Sequence, residues 1–222
     1  MIKTIYAYPF EPMELDKGLN VIALDSPDTL YQFVSGLKTE KDNFVIADKE
    51  DQTIPVEKNV LFVGDPANDI DLEKLYLRSS IQKLISGMDL DEIHNIKAKF
   101  LMFHESVGAA FVNSDIPLGL NDEEEYELKT MISCLKPHFI FPQASSFYDV
   151  IQTVLDTAGA LCEKRTIVLM NACQYCSPDQ VQYLQTDILR QDLQVICLER
   201  NDRRIDMSGV RNHFVDKDFV QF

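Results

Sequence analysis

The 222-residue chain reads as an α/β protein: a mostly parallel sheet built from both ends of the sequence, with an α-helical lobe inserted between them. Three observations predict this. Short apolar runs, bounded by turn or charged residues, fill the first and last parts of the chain. The middle instead repeats apolar residues every three or four positions. The late runs alternate with helical stretches at strand–helix–strand spacing, the crossover that parallel strands require.

The elements follow in order. Leu19–Leu24, Phe44–Ala47 and Val60–Gly64 are three apolar runs suited to buried strands. A helix follows the first of them, around Leu30, Phe33, Val34 and Leu37. From about Leu72 to Leu135 the period is helical. Leu77, Ile81, Leu84 and Met88 form one stripe, and Ile93, Ile96, Phe100, Phe103 and Val107 a second, resembling an antiparallel helix pair. Leu128, Met131, Ile132 and Leu135 form a third. Phe139–Phe141 is a short strand candidate. Phe147, Val150, Ile151, Val154, Leu155 and Leu161 line a further helix, and Thr166–Met170 is a buried strand. Ser177-Pro178-Asp179-Gln180 opens the next helix, with serine as cap, proline at its first position and glutamine closing a capping box. Leu193–Leu198 is a strand, and His213–Val215 with Phe219-Val220 is a final strand or hairpin edge. The expected boundaries are 1–68 with 136–222 for the α/β head and 69–135 for the lobe.

Composition narrows the functions. There are 36 acidic and 21 basic side chains, a formal charge of −15. A surface basic everywhere, as many nucleic-acid binders have, is excluded, and adsorption to an anionic membrane is disfavoured. No apolar run reaches the roughly 20 residues that span a bilayer. Met1-Ile2-Lys3-Thr4 carries no apolar targeting core, and the five cysteines read as reduced thiols of a cytoplasmic protein.

Two stretches invite comparison with phosphate-loop ATPases of the ATP-binding-cassette type. One is Gly18–Leu24 with its following turn and helix; the other is Thr166–Met170 through the capped helix to Val195–Leu198. The chemistry is missing at both. A phosphate loop needs glycines, a lysine and a hydroxyl for magnesium. Here it is Asp25-Ser26-Pro27-Asp28-Thr29, with neither glycine nor lysine and with two carboxylates that repel polyphosphate. The second strand leads into Asn171-Ala172 where acids are needed for metal and water. The head is a degenerate phosphate-loop fold that binds no nucleotide, or an unrelated α/β sheet.

The order of features resembles the type II-A CRISPR-associated Csn-two family, short branch. Pro12–Ile22, Thr53-Ile54 leading into Val60–Val63, the central helical pair, the acidic stretch before the third helix, Thr166–Asn171 and Phe214–Phe219 carry the likeness. The resemblance implies a non-enzymatic protein with an ATP-binding-cassette-like head and a helical leg. It implies a ring-shaped homotetramer that binds double-stranded DNA ends through a basic channel. Calcium would support the ring. The protein would act in acquiring new spacers with the two CRISPR integrase proteins and the effector nuclease.

The site residues follow from that. Phosphate contact needs local positive charge, which Arg78, Lys83, Lys97 and Lys99 supply on the inserted helices; each is equally an ordinary solvated surface charge. Arg200, Arg203, Arg204 and Arg211 form a second basic group. The run Asn121–Glu127 offers closely spaced oxygen ligands, or acids that favour a helix N-terminus. The resemblance selects calcium there, on Asp122, Glu124 and Glu125. Asn68–Glu73 lacks the EF-hand glycine and reads as helix capping. Cys173-Gln174-Tyr175-Cys176 has zinc or redox spacing but no second pair at similar spacing, so it reads as packing. His94, His104, His138 and His213 show no ligand spacing, and no serine sits in a nucleophile elbow, so no catalytic residue is assigned. Two other functions remain: a metal-dependent nuclease using the carboxylate run, or a protein-only scaffold on a dead nucleotide-binding fold.

Overall fold

The computed structural model describes residues 1–113, 117, 119–120, 126–140, 143–202 and 209–222. The α/β class with a parallel sheet is what it contains. The strands are β1 (Thr4–Ala7), β2 (Met13–Glu14), β3 (Gly18–Leu24), β4 (Phe44–Ala47), β5 (Thr53–Ile54), β6 (Val60–Gly64), β7 (Thr166–Met170), β8 (Gln194–Arg200) and β9 (Arg211–Val215). The helices are α1 (Pro27–Gly36), α2 (Val56–Asn59), α3 (Leu72–Gly87), α4 (Leu90–Val112), α5 (Leu128–Cys134), α6 (Phe147–Ala160) and α7 (Pro178–Arg190). No helix among the described residues is long and apolar enough to cross a membrane.

The chain divides into two compact units, Met1–Asp71 with Phe141–Phe222, and Leu72–Ile140. In the first, five strands form a parallel sheet in the order β6-β7-β8-β3-β9. Its central strands are buried on both faces, which explains why β3 and β8 read as near-continuous apolar runs.

Phe44–Ala47 does not join that sheet. It is β4 of a four-stranded antiparallel sheet, ordered β2-β1-β4-β5. Phe44 and Ile46 are buried while Val45 between them is only partly so, the alternation of a strand with one covered face. One core cluster fills the space among this sheet, α1 and one face of the parallel sheet. It joins Ile5, Met13 and Ile46 to Phe33, Leu37, Ile22, Ile196 and Leu198. Gly36 is required there, because a Cβ would lie 2.2 Å from the Phe44 ring. On the opposite face, α6 and α7 supply Ile151, Leu155, Leu184 and Ile188 against Val195 and Cys197.

Gln194 ties the start of the chain to β8. Its Oε1 accepts from Ile2 N at 3.0 Å and from Thr166 Oγ1 at 2.6 Å. Its Nε2 donates to Ile2 O at 2.8 Å and Asp16 O at 3.1 Å. A buried amide with its donors and acceptor engaged strengthens a core; half-engaged it would weaken one.

The second unit is organised on α5. Leu128, Met131 and Ile132 form a cluster with Ile81 of α3, and Ile85, Ile93, Ile96 and Phe100 pack around it. Three expected core positions are surface instead: Leu84 is 53% exposed, Phe103 64% and Leu135 81%. A seven-residue helix covers only a narrow stripe on each neighbour, so the outer members of each apolar row stay wet. Phe139 and Ile140 form no strand, Ile140 being exposed, and Phe141 lies outside the described residues. The expected hairpin edge is present at the end of the chain: Phe219, with φ 66°, closes a turn on Asp216 O, after which Gln221 bridges Val215 antiparallel and Phe214 and Phe222 exchange backbone hydrogen bonds.

Candidate functional site

In open parallel sheets, ligands sit beyond the carboxyl ends of the strands. Here that edge is filled by the chain's own side chains. After β3, Asp25 N donates to Val215 O at 3.0 Å. Ser26 caps α1, its Oγ accepting from Thr29 N at 3.5 Å, and Pro27 at the first helical position has no N–H to offer. The turn therefore closes on itself, and no string of free amides curls toward a phosphate.

After β7 the chain enters the left-handed region at Asn171, φ 57°. Asn171 Nδ2 donates to Asp65 Oδ2 at 2.7 Å, joining the ends of β7 and β6. Cys173 N donates to Glu199 Oε1 at 2.8 Å, and Gln174 Nε2 reaches Glu199 Oε2 at 3.4 Å and Asn171 Oδ1 at 3.2 Å. Burial, then its hydrogen bond to Asp65, raises the Tyr175 phenol. Burial likewise raises the Glu199 carboxyl, against the lowering effect of the Cys173 and Gln174 donors.

Asp65 and Glu199 were not singled out from the sequence. Glu199 follows the apolar run Leu193–Leu198 and reads as the point where a strand emerges into solvent. The structure continues β8 between β7 and β3 to Arg200, so Glu199 remains fully buried. The one signal available was that a strand with neighbours on both sides buries its last residues too.

Cys173 and Cys197 meet at the same edge. Cys173 lies in a 3-10 turn, Ala172–Tyr175, directly after β7, and Cys176 follows it. Cys197 and Glu199, two apart on β8, share the face toward that turn. The Cys173 and Cys197 sulfurs and a Glu199 oxygen all lie within 4.8 Å of one another. The hydrogen bond between the Cys173 and Cys197 thiols, followed by burial, pushes Cys197 up. Burial, helped by Cys173 and Glu199, pushes Cys176 up to about 11. Cys173, Cys197 and Glu199 come together from β8 and the turn after β7, which lie apart in sequence.

The proposed phosphate contacts lie in the helical unit. Arg78 and Lys83 are on α3, Lys97 and Lys99 on α4, and all four are exposed. Five residues separate the first pair and two the second, so at 3.6 residues per turn each pair is spread around its helix. Along α3, Lys74, Arg78 and Lys83 stand against a single acid, Glu73, which leaves that helix locally cationic. The second basic group disperses: Arg200 is level with Leu24, whereas Arg211 is level with Asn20 and bridges to Glu14 at 3.7 Å. That is four residues, roughly 13 Å, along the strand direction. Arg203, Arg204, Asp122, Glu124 and Glu125 lie outside the described residues.

No family model matches the chain, and no curated protein matches it by sequence. The fold is similar to the crystal structure of Stu0660 of Streptococcus thermophilus, with a TM-score of 0.60 and 14% identity over 96% of this chain and 74% of that one. At that identity the similarity establishes a shared fold.

Proposed function

We propose that this protein is a non-catalytic, sequence-independent binder of double-stranded DNA ends. It acts as a ring-shaped homotetramer in the acquisition of new spacers by type II-A CRISPR immunity. Its partners there are the two integrase proteins and the effector nuclease, in the cytoplasm, and calcium held on Asp122, Glu124 and Glu125 supports the ring. The observation that carries this reading is the carboxyl edge of the parallel sheet. That edge is occupied by Ser26, Pro27, Asp65, Asn171 and Glu199 and offers no curl of free amides for a polyphosphate, which supports a non-catalytic reading. The family resemblance of the sequence, the fold shared with Stu0660 and the exposed Arg78, Lys83, Lys97 and Lys99 support it.

The test combines light scattering with duplex binding. The expected result is a tetramer that weakens on calcium removal. It should bind linear duplex and not closed circles, since a ring needs an end to thread. Affinity should fall steeply with salt, as counterion release requires. Lys83→Glu combined with Lys97→Glu should weaken binding by at least about tenfold, since each lost phosphate contact removes a counterion-release contribution. A monomer at micromolar concentration without affinity for linear duplex overturns the proposal and leaves the scaffold role. Magnesium-dependent cleavage lost in the Asp122→Ala, Glu124→Ala double variant would replace it with the nuclease.

A further inference from the structure

We propose that Cys173, Cys197 and Glu199 form a site for one zinc ion at the carboxyl edge of the parallel sheet. The argument begins with placement. Cys197 and Glu199 stand on one face of β8, a strand held on both sides, so their Cβ positions are fixed. Cys173 comes from the tight turn after β7.

The distances then decide. The ligand atoms of Cys173, Cys197 and Glu199 lie within 4.8 Å of each other. Around tetrahedral zinc, with sulfur at about 2.3 Å and oxygen at about 2.1 Å, neighbouring ligand atoms are roughly 3.5–3.8 Å apart. Closing the difference takes about 1 Å, within reach of side-chain rotation. The fourth position is left to water or to Cys176, three residues from Cys173 at the end of the same turn.

The surroundings suit a metal as well. Glu199 is fully buried, and its hydrogen-bond donors are the Cys173 amide at 2.8 Å and the Gln174 side-chain amide at 3.4 Å. Those donors would hold the carboxylate in place as outer-shell supports do. Sulfur donors favour zinc and disfavour calcium and magnesium, which take oxygen. This site is therefore separate in chemistry from the calcium run at 121–127. Binding would release the thiol protons to solvent, so affinity should rise with pH. An ion here would lock the turn after β7 to β8, tying two neighbouring strands at their ends.

The test uses the full chain, reduced, stripped with chelator and titrated first with cobalt and then with zinc. The expected result is one cobalt per chain, with tetrahedral d–d bands and a thiolate-to-cobalt charge-transfer band. Zinc should displace it, with an apparent Kd of roughly 10⁻⁷ M or tighter at neutral pH. Excess calcium should leave the spectrum unchanged. Cys173→Ser and Cys197→Ser should each weaken binding at least about a hundredfold, since serine replaces a soft thiolate with a poor ligand. Glu199→Gln, which keeps an acceptor for the Cys173 amide, should weaken it less. Cys134→Ser and Cys162→Ser, both at exposed positions, should change nothing. Circular dichroism identifies any variant that fails to fold, and the wild-type and Glu199→Gln spectra then decide. No charge-transfer band in the wild type, or an undiminished band in folded Cys173→Ser and Cys197→Ser, overturns the proposal.

Discussion

Glu163 and Glu199 are both glutamates beside apolar strands, yet their surroundings move them in opposite directions. Burial alone would raise Glu163, but the Arg165 guanidinium and backbone outweigh it, and its carboxyl sits below the usual 4.5. Its Oε2 accepts from Arg165 Nη2 at 2.6 Å, and its Oε1 from Lys164 N, Arg165 N and Arg165 Nε, each at 3.0 Å. The folded state thus releases this proton more readily than the unfolded chain. Glu163 stabilises the fold above the ordinary carboxyl pKa, and that contribution is lost as pH falls from there through its own lower value. Urea midpoints followed from about pH 6 down to about pH 3 should drop less steeply in Glu163→Gln than in the wild type. Glu199 works the other way, its raised carboxyl weakening the fold as pH rises. The sequence shows Glu163 two residues from Arg165, and that pairing is legible. Glu199 is not, because its environment comes from β7 and β3, distant in the chain.

Among the elements, α7 states its own boundary in its sequence. Ser177 Oγ accepts from Gln180 N at 3.2 Å, and Gln180 Oε1 accepts from Ser177 N at 2.8 Å. Val181, Leu184 and Ile188 are buried as the period requires. Ser177→Ala should cost about 1 kcal/mol in chemical unfolding, the usual loss for an N-cap hydroxyl. Legibility falls where a partner decides exposure. Leu84 and Phe103 lie on correct apolar rows that the short α5 is too small to cover, and Leu135 is exposed as the C-cap of α5 itself. β1 and β2 went unread because strands of four and two residues carry too little alternation to show a period. The acids of the calcium run, Asp122, Glu124 and Glu125, rest on resemblance alone, while the cysteine–glutamate cluster needed three-dimensional closure to appear.

For the whole molecule, −15 charges on 222 residues mean that the folded chain repels itself. Screening should relieve this. The thermal midpoint should rise by a few degrees between about 0.01 M and about 0.3 M sodium chloride, measured by calorimetry without DNA or divalent ions. Duplex binding, if driven by phosphate contacts, must move the opposite way over the same range. The two trends separate stability from affinity in one titration.

The sheet order also sets a timetable. β3 has no partner among the early strands: Gly18 pairs with Gln194, and Asn20 with Arg211. The antiparallel sheet, by contrast, closes within residues 4–54. During synthesis the ribosome must add some 176 residues between Gly18 and Gln194, roughly 10–35 s at ordinary elongation rates, before β3 can be enclosed. Through that interval a mostly apolar strand waits unpaired in the nascent chain, exposed to association with other chains.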